Sequence, residues 1–68
     1  MMNAIRTYTW NNRLATVTDT KDGFEVYCAR IDKTGDTTPS RRFNGTCCKT
    51  FKHIKKAMGE VHAFLNGE

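Results

Sequence analysis

Two cysteines and two histidines in the second half of the sequence are the residues best suited to metal chemistry. Cys47 and Cys48 precede His53 and His62, and thiolate and imidazole groups are common zinc ligands. The spacing does not fit a zinc site, because adjacent cysteines on a helix point about 100° apart and structural sites normally use a CxxC or HxxxH pattern. We therefore expect neither a metal ion nor another cofactor.

Nucleophilic catalysis is the second chemistry to consider. Cys28 has the character of a small buried apolar residue, and the sequence offers no identifiable acid or base partner for a cysteine, serine or histidine nucleophile. A chain of 68 residues also has a core in which a substrate pocket is hard to fit. We expect that the protein is not an enzyme.

The basic residues are unevenly distributed and point to an anionic partner. Residues 1–40 carry five basic and five acidic side chains, whereas residues 41–68 carry six basic and two acidic ones, which accounts for the net charge of +4. A field of one sign attracts phosphate or a carboxylate-rich protein surface. The alternative is a solvated helix face that keeps a small protein in solution. The candidate phosphate contacts are Arg41, Arg42, Lys49, Lys52, Lys55 and Lys56, with His53 beside them.

Aromatic residues near the N-terminus form a second candidate surface. Tyr8, Trp10 and Tyr27 are accompanied by Arg6 and Arg13. Nucleic-acid bases stack on such rings while cations hold the backbone, and a protein partner would use the same residue types as anchors. The alternative is that these rings form half of the core or a ladder across neighbouring strands.

A helix over residues 46–66 is the element that would position most of the basic residues. Thr46 is a suitable N-cap, with Thr50 as a later alternative, and Asn66 with Gly67 supplies a C-terminal stop. Gly59 costs about 1 kcal/mol relative to alanine inside a helix, and we expect that it allows close approach to a sheet. The apolar side of this helix is predicted from residues that recur at intervals of three and four: Cys47, Phe51, Ile54, Met58, Val61 and Leu65.

Three predicted strands precede the helix, over residues 4–10, 13–20 and 24–32. Asn11 and Asn12 tolerate the positive φ of a tight turn; if they form only a bulge, the first two strands merge into one long bent strand. The Asp22-Gly23 sequence predicts the second turn. We expect Thr20 to lie opposite Phe24.

A further strand over residues 37–43 would end the sheet, which spans residues 4–43. Pro39 lacks a backbone donor, so this strand must lie at an edge or be a loop.

The faces of the sheet differ in charge. One face has Ile5, Leu14, Phe24, Val26 and Cys28 among several threonines, while the other combines the aromatic residues with charged ones. Burying charges costs more than burying threonine hydroxyls, so we expect the first face to pack against the helix. The charged residues of the second face are Arg6, Arg13, Asp19 and Glu25.

These patterns together predict one α+β domain over residues 1–68. Its antiparallel sheet has three or four strands with the hairpin 13–32 at the centre, and the C-terminal amphipathic helix covers one face. No apolar run suits a signal peptide or a membrane span, and three cysteines argue against a disulfide framework. We expect a cytoplasmic protein with no membrane partner.

The composition favours a small non-enzymatic protein that binds DNA or RNA as a regulatory or accessory factor. The alternative is a protein-binding module with an affinity for acidic surfaces, such as a small phage-type or mobile-element inhibitor that docks on a host protein or a nucleoprotein complex. An exposed aromatic face or an unpaired edge strand would also permit a homodimer.

Overall fold

The computed structural model describes residues 4–67 and has the predicted α+β architecture. The elements are β1 (Ile5–Trp10), β2 (Arg13–Thr20), β3 (Gly23–Ile31), β4 (Thr37–Pro39), β5 (Cys48–Phe51) and α1 (Ile54–Leu65). All strand pairings among them are antiparallel; β1 to β4 follow one another across the sheet, and β5 also pairs with β3. The helix crosses one face of this sheet and contributes half of the core.

The turn between β1 and β2 is the predicted two-residue turn. Asn11 and Asn12 have φ values of 55° and 58°, and Trp10 pairs with Arg13. Two positive φ values in succession are the signature of a type I′ turn, whose twist matches that of the flanking strands. This part of the sequence prediction is confirmed.

The turn between β2 and β3 is one residue shorter than predicted. Thr20 pairs with Gly23 rather than with Phe24, so Gly23 belongs to the strand. Gly23 has a φ of 138°, and a Cβ at this position would overlap the backbone carbonyl of Phe51. A glycine is required here by both the backbone conformation and the close approach of the neighbouring chain.

This difference of one residue exchanges the faces of β2. Val17 lies opposite Val26 and Ala15 opposite Cys28, and all four side chains are completely buried in the core. The prediction that Ile5 and the threonines of the first two strands lie under the helix is wrong. In the structure the threonines occupy the open face, away from α1: Thr7, Thr9, Thr16, Thr18, Thr20, Thr37 and Thr50.

Three of the four charged residues lie at the rim of the buried face, and the fourth, Glu25, belongs to the open face. Arg6 is exposed at the sheet edge, and Arg13 reaches the end of the helix. Asp19 is half-buried at the opposite end of β2, where one of its carboxylate oxygens is buried and has no hydrogen-bond partner within residues 4–67. The cost of burying charge on this face therefore falls mainly on Asp19, since the middle of each strand forms the core.

The outer edge of β3 is shared by two short strands. β4 pairs with Ala29 to Ile31 and β5 with Phe24 to Tyr27. Between them, the Ser40 N–H donates to the Cys28 carbonyl and the Cys28 N–H donates to the Cys47 carbonyl, both at 3.0 Å. Residues 37–40 and 47–51 thus form one interrupted edge strand, from which residues 41–46 protrude as a loop.

The tip of this loop explains why residues 46–53 are not helical. Asn44 and Gly45 have φ values of 51° and 88°, and Phe43 and Thr46 exchange two backbone hydrogen bonds of 3.0 Å. This Asn-Gly turn directs the following residues back along β3 as β5. The predicted helix start at Thr46 is wrong, and the N-cap is His53, which makes no side-chain cap.

The helix ends where the sequence predicted. Asn66 caps the helix, and Gly67 follows with a φ of 87°. Gly59 is exposed, and nothing lies within 4 Å of the position of an added Cβ, so its predicted close approach to the sheet is wrong.

The only helix in residues 4–67 has 12 residues and is not long and apolar enough to cross a membrane.

Candidate nucleic-acid interface

Four lysines form an exposed group around the junction of β5 and α1, which we call the lysine flank: Lys49, Lys52, Lys55 and Lys56. None of their ammonium groups has a hydrogen bond or an ion pair to another residue within 4–67, and the Lys49 ammonium lies 5.3 Å from the centroid of the Phe51 ring. The first turn of α1 contains no acidic residue. Its unopposed N–H groups place the positive end of the helix dipole beside these cations.

The lysine flank is not the single helix face that the sequence predicted. Lys49 lies on β5, Lys52 lies in the connection with His53, and Lys55 and Lys56 lie in the first helical turn. The residues nevertheless remain neighbours, because the chain passes directly from β5 into α1. The grouping of the four cations was predictable, but the backbone that carries them was not.

Arg42 holds the protruding loop against the helix. Its Nε donates to Glu60 Oε2 at 3.0 Å, and its guanidinium carbon lies 5.8 Å from the centroid of the Phe64 ring. Beside it, Phe43 meets Phe51 edge to face, with 6.1 Å between the ring centroids. Arg42 therefore has a structural role at the edge of the candidate surface.

An open depression of about 510 Å³ connects Arg42 to the lysine flank. Lys49 and Arg42 both line this depression, so the two groups of cations face a common space. Glu60 is the acidic residue among its lining residues and is paired with Arg42. The remaining lining residues are Phe43, Asn44, Thr46 and Cys48.

Four arginines line a second open depression, which we call the arginine pocket and which has a volume of about 370 Å³. Arg13 and Arg30 are direct partners on β2 and β3, and Arg41 and Arg42 come from the protruding loop. Arg30 was not among the candidates selected from the sequence. The predicted register placed it opposite Leu14, which concealed the pair of like charges. The other lining residues are Ser40, Phe64 and Gly67.

Arg13 fixes the C-terminal end of the helix. Its Nη1 donates to the Phe64 carbonyl at 2.9 Å, and the Asn11 side-chain amide donates to the Leu65 carbonyl at 3.1 Å. The last carbonyls of a helix lack partners within the helix, and a cation is favourable at that end of the dipole. The first hairpin therefore provides the cap of α1.

The predicted aromatic surface is divided between the two faces of the sheet. Tyr8 pairs with Ala15 on the helix side and packs against the core, whereas Tyr27 pairs with Thr16 on the open face. Trp10 is 63% exposed at the end of β1, on the same side as Tyr8 and Arg6. No common stacking platform of the three rings exists, because the corrected register separates Tyr27 from the other two.

Cys28 and Cys48 have little thiolate character, because the pKa of each thiol is raised. Burial raises the pKa of the Cys28 thiol to about 11, with Arg42 acting in the opposite direction. The pKa of Cys48 is also raised, first by desolvation and then by the charge of Glu25. Within residues 4–67, no three His, Cys, Asp or Glu side chains meet in a group that could hold a metal ion.

Comparison of the chain with known protein families, curated proteins and solved structures found no match. Within residues 4–67 the two basic features of the surface are the lysine flank and the arginine pocket, and Arg42 lies beside both.

Proposed function

We propose that the protein binds the phosphate backbone of nucleic acid through the lysine flank, as a small regulatory or accessory factor. The observation that carries this proposal is the density of unpaired cations between residues 49 and 56. The four lysines are exposed and have no anionic partner within residues 4–67. Four like charges on adjacent segments repel one another, and a polyanion removes that repulsion.

The expected binding is electrostatic and largely independent of base sequence. Each neutralised phosphate releases condensed counterions, so affinity falls with a logarithmic salt slope of about −0.7 per contact for single strands and about −0.9 for duplex DNA. Four lysine contacts would give a slope of about −3 to −3.5. The division of the aromatic residues between faces leaves base stacking as a minor contribution.

The proposal can be tested with fluorescently labelled DNA and RNA oligonucleotides, single-stranded and duplex, over a range of salt concentrations. The informative variant is K52E/K55E, which reverses two charges of the lysine flank. The control is K21E/K33E, which makes the same change in net charge at exposed turn positions. We expect K52E/K55E to weaken binding at least about tenfold at low salt and to flatten the salt slope.

The control variant should weaken binding by less than about threefold, since screening limits the influence of distant charges. Equal losses in the two variants would mean that net charge alone attracts the oligonucleotide, and the lysine flank would not be the site. If the wild-type protein binds none of the oligonucleotides, the proposed function is wrong.

A second candidate function is protein binding through β1. Ile5 and Trp10 are 65% and 63% exposed, and β1 lies at the edge of the sheet with one side unpaired within residues 4–67. An extended segment of a partner could add to such an edge and use the tryptophan as an anchor. The partner would be a host protein, a nucleoprotein complex or a second copy of this chain.

Salt and nuclease responses distinguish this candidate from the first. A contact anchored by Trp10 should persist at moderate salt and after nuclease treatment, and Trp10→Ala should weaken it, whereas K52E/K55E should not. Sedimentation at several protein concentrations would detect a homodimer. This candidate would be contradicted if the protein is a monomer at all concentrations and captures partners only when nucleic acid is present.

A further inference from the structure

The arginine pocket contains an arrangement of charge that the fold alone does not explain. Arg13 and Arg30 lie directly opposite each other on neighbouring strands, and like charges in that position destabilise a sheet. Arg41 and Arg42 line the same depression, and none of its described lining residues is acidic. Four guanidinium groups therefore converge on a space open to solvent.

Two of these arginines are held in place by contacts with the protein. Arg13 donates to the Phe64 carbonyl at 2.9 Å and Arg42 to Glu60 at 3.0 Å, and both guanidinium groups lie over the Phe64 ring, at 5.0 and 5.8 Å. These contacts keep the two groups beside the pocket. The partial negative charge of the helix C-terminus and the carboxylate of Glu60 also compensate part of the positive charge of these two arginines.

The other two arginines have no such compensation. Arg30 and Arg41 are exposed, and the guanidinium group of neither makes a hydrogen bond or an ion pair with any residue within 4–67. Both line the arginine pocket. Within residues 4–67 no acidic side chain relieves the repulsion between these cations and their neighbours, and an anion from solution would do so.

We propose that the arginine pocket binds a phosphate monoester, namely the terminal phosphate of a nucleic-acid strand or of a free nucleotide. A monoester carries nearly two negative charges at neutral pH, whereas a backbone diester carries one. Guanidinium groups match phosphate oxygens with paired donors, and the Ser40 hydroxyl adds another donor. The pocket is larger than a phosphate group, so it has room for part of the attached sugar.

The terminal phosphate of a nucleic-acid strand is one of the two sources, and for that source the inference rests on the proposed function. Arg42 lines both the pocket and the depression that contains Lys49. A strand whose backbone follows the lysine flank would therefore have its end near the arginine pocket. A free nucleotide would occupy the pocket without the lysine flank.

The test compares a 5′-phosphorylated single strand with the same strand ending in a 5′-hydroxyl, each labelled at its 3′ end. The proteins are the wild type, R30Q/R41Q and the control K21Q/K33Q, which removes the same charge at exposed turns. We expect the phosphate to strengthen binding to the wild type and the control by roughly tenfold, as for charge-assisted hydrogen bonds. The gain should be absent in R30Q/R41Q.

Titration of inorganic phosphate and of a nucleoside monophosphate, followed by the amide resonances of Arg30, Ser40 and Arg41, provides a second measurement. The spectra also confirm that each variant is folded. Resonance shifts that occur in the wild type and disappear in R30Q/R41Q would support phosphate binding in the arginine pocket, even if no oligonucleotide binds. In that case the phosphate would come from a free nucleotide, and the proposed function would be wrong. Equal binding of the two strands without shifts would overturn the pocket and leave the proposed function intact.

Discussion

The Arg13 guanidinium contacts both the backbone carbonyl and the aromatic ring of Phe64. The Nη1 atom donates to the Phe64 carbonyl at 2.9 Å, and the guanidinium carbon lies 5.0 Å from the ring centroid. Phe64 is the largest of the fully buried side chains, at 2% exposure. The pair therefore attaches the start of β2 to the end of α1, which are 51 residues apart in sequence.

Replacing Arg13 with alanine should lower the free energy of unfolding by about 1–2 kcal/mol, because it removes a charge-assisted hydrogen bond and a cation–π contact that are partly exposed to solvent. Arg13→Lys should restore less than half, since an ammonium group cannot make both contacts. Urea unfolding monitored by circular dichroism gives the values. The control is Arg6→Ala on the neighbouring strand, where Arg6 is exposed and a change below about 0.5 kcal/mol is expected. Equal effects of the two alanine variants would contradict this structural role.

The elements that follow from local chemistry were predictable from the sequence. Asn11 and Asn12 favour positive φ values, and Gly67 ends the helix, so these features depend on few neighbours. The strand register was not predictable in the same way, because a turn of two or three residues fits the sequence around Asp22 equally well. In the structure Thr20 pairs with Gly23, and the Phe51 carbonyl occupies the space beside this glycine, a contact that is distant in sequence.

The start of the helix shows a different difficulty. Cys47 and Phe51 match the spacing of the helical apolar residues by coincidence, and Phe51 reaches the core from a strand instead. The available signal was Asn44-Gly45, the residue pair most typical of a β-hairpin turn. The lysine flank was found because charge density is visible without a fold. Arg30 was missed because its role depends on the register.

Gly23 should be intolerant of any side chain. Gly23→Ala would place a Cβ against the Phe51 carbonyl and impose a φ that alanine rarely adopts, so we expect a loss of at least about 2 kcal/mol in the free energy of unfolding. The control is Gly35→Ala, which has a φ of 89° but open space around its Cβ position, and should cost about 1 kcal/mol. Chemical denaturation measures both variants. A cost for Gly23→Ala no larger than that for Gly35→Ala would show that the close approach of Phe51 is not a constraint.

Gly59 should be replaceable with a gain in stability. It is exposed in the middle of α1 with nothing within 4 Å of its Cβ position, and alanine is favoured over glycine in a helix by about 1 kcal/mol. Gly59→Ala should therefore raise the melting temperature by several degrees, as expected for a domain of this size. An unchanged or lower melting temperature would mean that helix propensity at position 59 does not limit the stability of the fold. Repeating the measurement with an oligonucleotide present would show whether the added methyl group interferes with binding.

The stability of the protein should fall at alkaline pH because of Cys28. Burial raises the pKa of this thiol from 9.0 to about 11 in the folded state, so the folded protein retains a proton that the unfolded chain loses. The contribution of the protonated thiol is fully present below pH 9.0 and is lost as the pH rises through about 11. The expected loss across this interval is about 2 kcal/mol.

Alkaline pH also affects interactions elsewhere in the protein, so the measurement must compare the wild type with Cys28→Ala. The difference between their free energies of unfolding should be constant from pH 6 to pH 8 and should decline between pH 9.0 and about 11. A thiol reagent at pH 8 should leave Cys28 unmodified in the folded protein while modifying the half-buried Cys47 and Cys48 slowly. Parallel stability curves for the two proteins would mean that the thiol ionises as readily in the folded state as in the unfolded chain, and the packing of α1 over β3 would then be looser than the complete burial of Cys28 implies.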